Sequence, residues 1–156
     1  MAHLTRLLGV DLGERRIGLA VGDSESSRVN PLTTLRRGDP ERDAATIARV
    51  CEEQRIDEIV VGLPLNMDGS EGPQATLTRE WAAAVAPLLR VPLTWHDERL
   101  TSVTAEERMT PMQRGSAGGP PSAAARDARR ARIDREAAAQ IVQAELDSRS
   151  RDALTL

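Results

Sequence analysis

Aromatic side chains are nearly missing from this chain of 156 residues. It contains no Phe and no Tyr, and its only aromatic residues are Trp81 and Trp95. Stacking of bases on aromatic side chains is therefore almost excluded as a way of binding nucleic acid. Lysine is absent as well, so all 21 basic residues are arginine. Compositional bias of the source genome explains these absences without any function, but a phosphate group would have to be held by guanidinium groups.

Cysteine and long apolar runs are also scarce. Cys51 is the only cysteine, which excludes a disulfide framework and a cysteine-based zinc site. No apolar run approaches the roughly 20 residues of a membrane span, and the N-terminal residues do not resemble a signal peptide. These features predict a cytoplasmic protein without a membrane partner.

The charged residues are unevenly distributed. The formal net charge is −3, so the chain as a whole is not a polycation. Between positions 114 and 135, however, Asp127 and Asp134 are outnumbered by arginines, at positions 114, 126, 129, 130, 132 and 135. A local basic stripe on an acidic protein suits a phosphate-bearing ligand, and a solvated, disordered arm is the alternative interpretation.

The apolar pattern predicts one α/β domain over residues 1–156, with an antiparallel hairpin region joined to parallel strands by crossover helices. The predicted strands are 6–13, 16–22, 28–36, 59–61 and 92–96. The predicted helices begin at Pro40 and Pro73 and, later in the chain, cover about 101–112 and 133–149. The Gly-, Pro- and Ala-rich segment 114–125 is expected to be a mobile loop.

Helical spacing of apolar residues predicts which face of each of the first two helices is buried. The buried residues of the first are expected to be Ala44, Ile47, Ala48 and Cys51. Those of the second are expected to be Leu77, Trp81, Val85 and Leu88.

Asp11 lies where a carboxylate is costly, within the apolar run from Leu7 to Gly13. An ionised carboxylate on a buried strand needs a hydrogen bond, an ion pair or a metal. Glycines at 9, 13, 18 and 22 leave room for another group to approach the backbone, which we interpret as clearance for a scissile phosphate. A hydrogen-bonded core aspartate is the alternative.

Two further carboxylates fall where a sheet-based site would use them. Glu98 lies just past the C-terminal end of a predicted strand, where open α/β sheets bind ligands. Asp134 lies in the first turn of the predicted final helix, where the helix dipole favours an acid. A solvated acid and a helix cap are the respective alternatives. With Asp11, these hard oxygen ligands favour Mg²⁺ or Mn²⁺, and two such ions can clamp a scissile phosphate.

Several segments of the chain form a set of motifs, at 10–13, 17–22, 59–69, 97–102 and 133–139. The block Gly-Leu-Pro-Leu-Asn-Met-Asp-Gly, followed by Asp-Glu-Arg-Leu-Thr-Ser, is highly specific. Together the motifs strongly resemble the YqgF/RuvX family, over about residues 6–146. Members are described as Holliday junction resolvases and as nucleases that mature the 5′ end of pre-16S rRNA.

The resemblance implies an RNase H-like fold, in which helices flank a mixed five-stranded sheet, and metal-dependent phosphodiester hydrolysis. It places the family's acidic triad on Asp11, Glu98 and Asp134. Asp11 would bridge two ions, and each of the other two acids would hold one.

The resemblance also implies substrate-binding residues near the acids. Asn66 and the glycines at 62 and 69 would shape a loop beside the cleft, with Met67 packed beneath it. Arg99 and Thr101 would meet phosphate oxygens, although pairing of Arg99 with a neighbouring carboxylate is the alternative. Further contacts would come from Arg129, Arg130 and Arg132.

These observations predict an endonuclease that cleaves branched DNA or precursor rRNA with Mg²⁺ or Mn²⁺. A homodimer is expected if the protein resolves four-way junctions, because two symmetric cuts need two related sites. One alternative is a non-catalytic module of the same fold that associates with RNA or the ribosome. Another is a nucleotide-binding, kinase-like domain, but such enzymes need two domains around a cleft and this chain has length for one.

Overall fold

The computed structural model describes residues 4–26, 28–100 and 119–155. Within these ranges the chain forms five strands and three α-helices. The strands are β1 (Arg6–Leu12), β2 (Arg16–Asp23), β3 (Val29–Arg36), β4 (Glu58–Leu63) and β5 (Leu93–Asp97). The α-helices are α1 (Pro40–Glu53), α2 (Pro73–Val85) and α3 (Ala123–Thr155), and short 3₁₀ turns cover Ala86–Leu88 and Glu98–Leu100.

The five strands form one mixed sheet in the order β3-β2-β1-β4-β5. The first three strands are antiparallel neighbours, whereas β4 runs parallel to both β1 and β5. This arrangement confirms the predicted mixed five-stranded α/β fold. Because β1, β4 and β5 are parallel, their C-terminal ends meet at one edge of the sheet, which brings Asp11 on β1 toward the residue that follows β5.

The two faces of the sheet differ in the size of their side chains. Large aliphatic residues such as Leu8, Val10 and Val61 point to one face and form a core with α1 and α2. The other face, which carries α3, has smaller groups, including Ala20 and several glycines. Helix α3 therefore lies closer to the sheet backbone than the other two helices can.

Helix α1 begins as expected, since the carboxylate of Asp39 accepts a hydrogen bond from the Arg42 amide at 2.9 Å. Three of its four predicted core residues are buried, but Ala48 is exposed. The fourth buried position is Asp43, whose carboxylate accepts hydrogen bonds from the Trp81 indole (3.1 Å) and the Gly38 amide (2.8 Å). These bonds satisfy the buried acid, so a polar side chain occupies a position that periodicity assigns to an apolar one.

The predicted buried face of α2 is correct for Trp81 and Val85 and wrong for two leucines. Leu77 is 42% exposed and Leu88 is 53% exposed. The helix instead buries three smaller side chains on the same face, those of Ala75, Thr78 and Ala82. Leu88 leaves the buried face because the α-helix has already ended at Val85 and a 3₁₀ turn follows.

Helix α3 begins ten residues earlier than predicted, at 123 instead of about 133. Residues 123–132 are mostly Ala and Arg, which are strong helix formers but give no amphipathic pattern. The last three residues of the predicted loop 114–125 are therefore helical. Residues 114–118 of that loop and the predicted helix 101–112 lie outside the described residues. In the part of the chain that is described, no helix has the length and apolar character needed to cross a membrane.

Candidate active site

Asp11 and Glu98 form a pair of carboxyl groups at the C-terminal edge of the parallel strands. Asp11 is the last residue but one of β1, and Glu98 follows β5 directly. Their carboxyl groups lie close enough to form a hydrogen bond when one of them is protonated, and each influences the pKa of the other. The strand between them contributes Gly62, where a Cβ would lie only 2.5 Å from Glu98 Oε1. The absence of a side chain at Gly62 therefore lets Glu98 cross β4 and reach Asp11.

Burial is the main influence on the acidity of this pair. It raises the pKa of Asp11 from 3.8 to about 8, with additional repulsion from the charges of Glu98 and Asp134. Burial also raises the pKa of Glu98, against the lowering effects of its hydrogen bond to Asp11 and of nearby His96. The two carboxyl groups therefore do not both ionise readily at neutral pH unless a cation compensates their charge.

Asp134 is brought to the same region by α3. Its backbone carbonyl rests on Gly18, where a Cβ would overlap the oxygen, and Gly18 is paired directly with Asp11 across β1 and β2. Burial raises the pKa of Asp134, whereas the guanidinium groups of Arg16 and Arg135 oppose the rise. Asp134 lies about three turns into α3, so its predicted place in the first turn of a helix is wrong.

The three acids do not form a single site in which all of them could bind one metal ion. Within the described ranges, no three Asp, Glu, His or Cys side chains are grouped closely enough to hold one metal together. They form a hydrogen-bonded pair, Asp11 with Glu98, and a third acid, Asp134, whose charge acts on Asp11. Carboxylate oxygens are the ligands that Mg²⁺ and Mn²⁺ prefer, and burial raises the pKa of all three acids, so a bound cation would favour their ionised forms. The donor chemistry therefore fits divalent ions held by pairs of acids.

The glycines of the hairpin have a different neighbour from the one predicted. A Cβ at Gly9 would overlap Val142 and come within 2.7 Å of the Ala138 carbonyl oxygen, and one at Gly22 would lie 2.7 Å from Val142. The group that approaches the backbone at Gly9, Gly18 and Gly22 is thus helix α3, and our interpretation of these glycines as clearance for a phosphate is wrong.

The loop between β4 and α2 lies beside the acid pair and is held by its own polar side chains. Asp68 accepts hydrogen bonds from the Ser70 amide (2.9 Å) and hydroxyl (2.6 Å), and the Asn66 amide group donates to the Ser70 hydroxyl at 2.9 Å. Gly69 supplies the positive φ of +88° that the turn requires. Met67 is 86% exposed, so the expectation that it packs beneath the loop is wrong.

Arg99 links this loop to the end of β5. Its Nε and Nη2 donate to the Asp97 carboxylate at 3.0 and 2.7 Å, and its Nη1 donates to the Met67 carbonyl at 3.2 Å. The structure thus shows the alternative in which Arg99 pairs with a neighbouring carboxylate. Thr101, the other residue expected to meet phosphate here, lies outside the described residues.

The three arginines predicted as substrate contacts do not share one face of α3. Arg130 lines a cleft beside the β1–β2 turn. Arg129 and Arg132 are three residues apart and lie on another side of the helix, because successive residues are rotated by about 100°. A common role for all three is therefore not favoured by the helix geometry.

A partly buried polar network next to Glu98 was not anticipated from the sequence. His96 is 2% exposed, and its Nδ1 lies 2.8 Å from Glu145 Oε2 on α3. Glu145 also accepts from Arg149 Nε at 3.0 Å, and Arg149 donates to both oxygens of Glu58 at 2.6 and 2.9 Å. The network ties α3, which carries Asp134, to the strands that lead to Glu98. The available signal was Glu145 itself, an acid four residues after Ile141 on the buried stripe of the last helix.

Comparison with known proteins agrees with this arrangement. Residues 5–148 match the family model RuvX, described as "Holliday junction resolvase". A protein of Anaeromyxobacter dehalogenans (strain 2CP-C), named "Putative pre-16S rRNA nuclease", is 47% identical over 146 residues, which cover 93% of this chain and 98% of that protein. A protein of the same name from Chloroflexus aurantiacus (strain ATCC 29366 / DSM 635 / J-10-fl) is 40% identical over 143 residues, covering 92% and 87%.

A likeness in fold extends to a solved structure with little sequence similarity. RuvC of T. thermophilus, in complex with a Holliday junction substrate, has a TM-score of 0.54 and 14% sequence identity, over 94% of this chain and 96% of that one. This likeness concerns the fold alone. The family match over nearly the whole chain, together with the close relatives, shows that the protein belongs to the RuvX (YqgF) family of nucleases.

Proposed function

We propose that this protein is a metal-dependent endonuclease that hydrolyses phosphodiester bonds in structured nucleic acid, with Asp11, Glu98 and Asp134 as its catalytic acids. The observation that supports this most is the hydrogen-bonded pair of Asp11 and Glu98, with their raised pKa values, at the C-terminal edge of the parallel strands. In a nuclease such acids would bind metal ions, and the metal ions would in turn bind the negatively charged phosphate of the substrate.

The arrangement of the acids favours Asp11 as a ligand of two metal ions. Asp11 with Glu98 would hold one Mg²⁺ or Mn²⁺, and Asp11 with Asp134 would hold a second. The bound ions would supply the activation of water and the neutralisation of charge on the scissile phosphate. The chain's own residues fix the acids: Gly62 lets Glu98 reach Asp11, and Gly18 lets α3 bring Asp134 close.

Other residues would position the substrate or the site. Arg99 holds the loop that contains Asn66 against the end of β5. Arg99 and Asn66 would therefore border a nucleic-acid strand that lies over the acids. Thr101 follows two residues later in the chain and would add a contact. Arg129, Arg130 and Arg132 would act on flanking phosphates, with Arg130 on a different side of α3 from the other two.

The central test is the variant Asp11→Asn, which removes the shared acid and keeps its size. Cleavage of a four-way DNA junction and of a 5′-extended 16S rRNA precursor, measured with Mg²⁺ or Mn²⁺, should fall by about a hundredfold or more. Asp152→Asn is the matched control, because the same change is made on the exposed far part of α3. Cleavage by Asp11→Asn at the rate of the unmodified protein would contradict the proposed role of Asp11.

The same assay addresses the substrate. The family description concerns Holliday junctions and the names of the relatives concern pre-16S rRNA, so the two substrates are offered side by side. Resolution of junctions by symmetric cuts would require a homodimer, which sedimentation of the protein with the junction would detect. Binding without cleavage under all metal conditions would favour the non-catalytic RNA- or ribosome-associated module instead.

A further inference from the structure

A cleft of about 570 Å³ lies next to the candidate active site, between the β1–β2 turn, the end of β3 and the first turns of α3. Its wall is strongly basic. The acids in it are Glu14 and Asp127, against six arginines, at positions 15, 16, 36, 37, 126 and 130. A wall with this excess of guanidinium groups is costly through mutual repulsion unless an anion is bound.

The antiparallel sheet explains why these arginines meet. Arg16 begins β2 and is paired with Arg36, which ends β3, and the Arg37 amide donates to the Arg15 carbonyl at 2.8 Å. Arg16 therefore lies beside Arg36, and Arg15 lies beside Arg37, although they are far apart in the sequence. Helix α3 closes the cleft through an ion pair of 2.6 Å between Arg16 and Asp127.

The internal contacts leave much of this charge uncompensated. Asp127 pairs with Arg16, and Arg37 and Arg126 donate to backbone carbonyls. Arg15 and Arg36 are exposed, and no hydrogen bond or ion pair joins their guanidinium groups to another described residue. These groups are thus available to an external anion.

We propose that this cleft binds the phosphate backbone of the nucleic-acid strand that leads away from the cut, which rests on the proposed nuclease function. Arg130 and Arg126 precede Asp134 by one and two turns of α3, or ~6 and ~12 Å along the helix axis. At ~3.4 Å of axial rise per nucleotide in each strand of a duplex, the cleft is about two to four nucleotides from the acids. Its lining contains no aromatic residue, so bases would not stack there, and its guanidinium groups would contact phosphate oxygens.

The test compares two double variants that remove the same charge. Arg15→Gln with Arg36→Gln changes the cleft, and Arg49→Gln with Arg90→Gln changes exposed arginines elsewhere on the surface. Both are made in the Asp11→Asn background, and binding to a labelled junction and to duplex RNA is measured from low to high salt. The cleft variant should bind about tenfold more weakly, and the slope of log affinity against log salt should become shallower by about 1.5 to 2. The control should match the parent, with all proteins melting within about 2 °C of one another.

Several outcomes would overturn the proposal. One is an unchanged salt slope in the cleft variant, and another is an equal loss of nucleic-acid affinity in the cleft variant and the control variant. A third is a cleft variant that still binds nucleic acid but no longer binds a polyglutamate peptide that the parent binds. The last would assign the cleft to an acidic protein.

The proposed nuclease function fails separately. Suppose that the salt slope of the cleft variant becomes shallower, but the unmodified protein cleaves neither substrate with Mg²⁺ or Mn²⁺. The cleft proposal then stands, and the proposed nuclease function does not. If both hold, restoring Asp11 to the cleft variant should give a raised KM and a nearly unchanged kcat.

Discussion

At the scale of single residues, the paired carboxyl groups of Asp11 and Glu98 are the most unusual feature of the molecule. Burial raises the pKa of both groups, and the charge of Glu98 raises the pKa of Asp11 further. A protein without a ligand gains nothing from this arrangement, because two solvated acids elsewhere would be more stable. Under the proposed function, the pair stores unfavourable energy that binding of a cation would release.

The raised pKa of Asp11 should make the free energy of unfolding of the metal-free protein depend on pH. The pKa of Asp11 is about 8 in the folded chain and near 3.8 when it is solvated, so the folded state binds more protons between these pH values. The contribution of Asp11 to the free energy of unfolding must therefore fall as pH rises from about 4 to about 8. Asp11→Asn abolishes this contribution and should be the more stable protein at pH 8, by a few kcal/mol.

Denaturant unfolding in EDTA at pH 5, 6.5 and 8 measures this effect as the difference between the two proteins. The difference is used because acids with lowered pKa values, such as Asp97, change stability with the opposite sign at lower pH. A difference that is constant across the range would show that Asp11 titrates normally.

At the scale of elements, the contact of α3 with the sheet decides where Asp134 lies. Gly9, Gly18 and Gly22 let the helix rest against strand backbones, and at Gly18 the neighbouring atom is a carbonyl oxygen that cannot rotate away. The position of α3 is therefore set by a contact between backbones at Gly18, whereas at Gly9 and Gly22 the nearest group is the Val142 side chain.

Gly18→Ala should therefore be severe. The added methyl group would push α3 away from β2, with a loss of about 3 kcal/mol in the free energy of unfolding and a larger loss of cleavage than stability alone explains. Gly119→Ala is the control, since a Cβ there meets nothing within 4 Å. Thermal unfolding and cleavage well below the melting temperature separate the two effects, and a fully active Gly18→Ala protein would argue against this account of Asp134.

The far part of α3 is held by Arg149, which binds Glu58 and Glu145. Arg149→Gln should lower the free energy of unfolding by about 1–2 kcal/mol near pH 7. The hydrogen bond from Arg149 lowers the pKa of Glu58, so the stabilisation is present above the ordinary pKa of a glutamate and disappears as pH falls below it. The difference between variant and parent should accordingly shrink from pH 7 to pH 3, whereas a pH-independent difference would indicate a packing effect.

The elements show what the sequence could and could not predict. Apolar runs and turn residues were enough for β1, β2 and β4, and a capping Asp followed by Pro located the start of α1. The start of α3 was missed because alanine and arginine favour a helix without marking a buried face. The sequence was enough to propose that Asp11, Glu98 and Asp134 lie near one another, and their catalytic role stays a prediction. The role of Gly18 was not predictable, since a glycine in a strand does not show what approaches it.

At the scale of the whole molecule, the acids join parts of the chain that are remote in sequence. Asp11 lies on β1, Glu98 lies in the 3₁₀ turn directly after β5, and Asp134 lies on α3. An ion held between them would connect these parts, and it would bind the folded state much more strongly than the unfolded one.

Mg²⁺ or Mn²⁺ should therefore raise the melting temperature. At a concentration about 100 times the dissociation constant, the stabilisation is about 2.7 kcal/mol, or roughly 5–10 °C for a chain of this size. Differential scanning calorimetry with and without the ion measures the shift, which should vanish in Asp11→Asn and persist in Asp152→Asn. An equal shift in both variants would locate the bound ion elsewhere.

The contact between Gly18 and the carbonyl of Asp134 has a consequence for how this protein can evolve. The backbone of Asp134 touches Gly18, and Gly18 is paired with Asp11 across β1 and β2, so backbone contacts connect two of the three acids. Substitutions can accumulate in the aliphatic core on the opposite face of the sheet without altering these contacts. The hydrogen atom that is the side chain of Gly18, by contrast, has no replacement that leaves the Asp134 carbonyl in place.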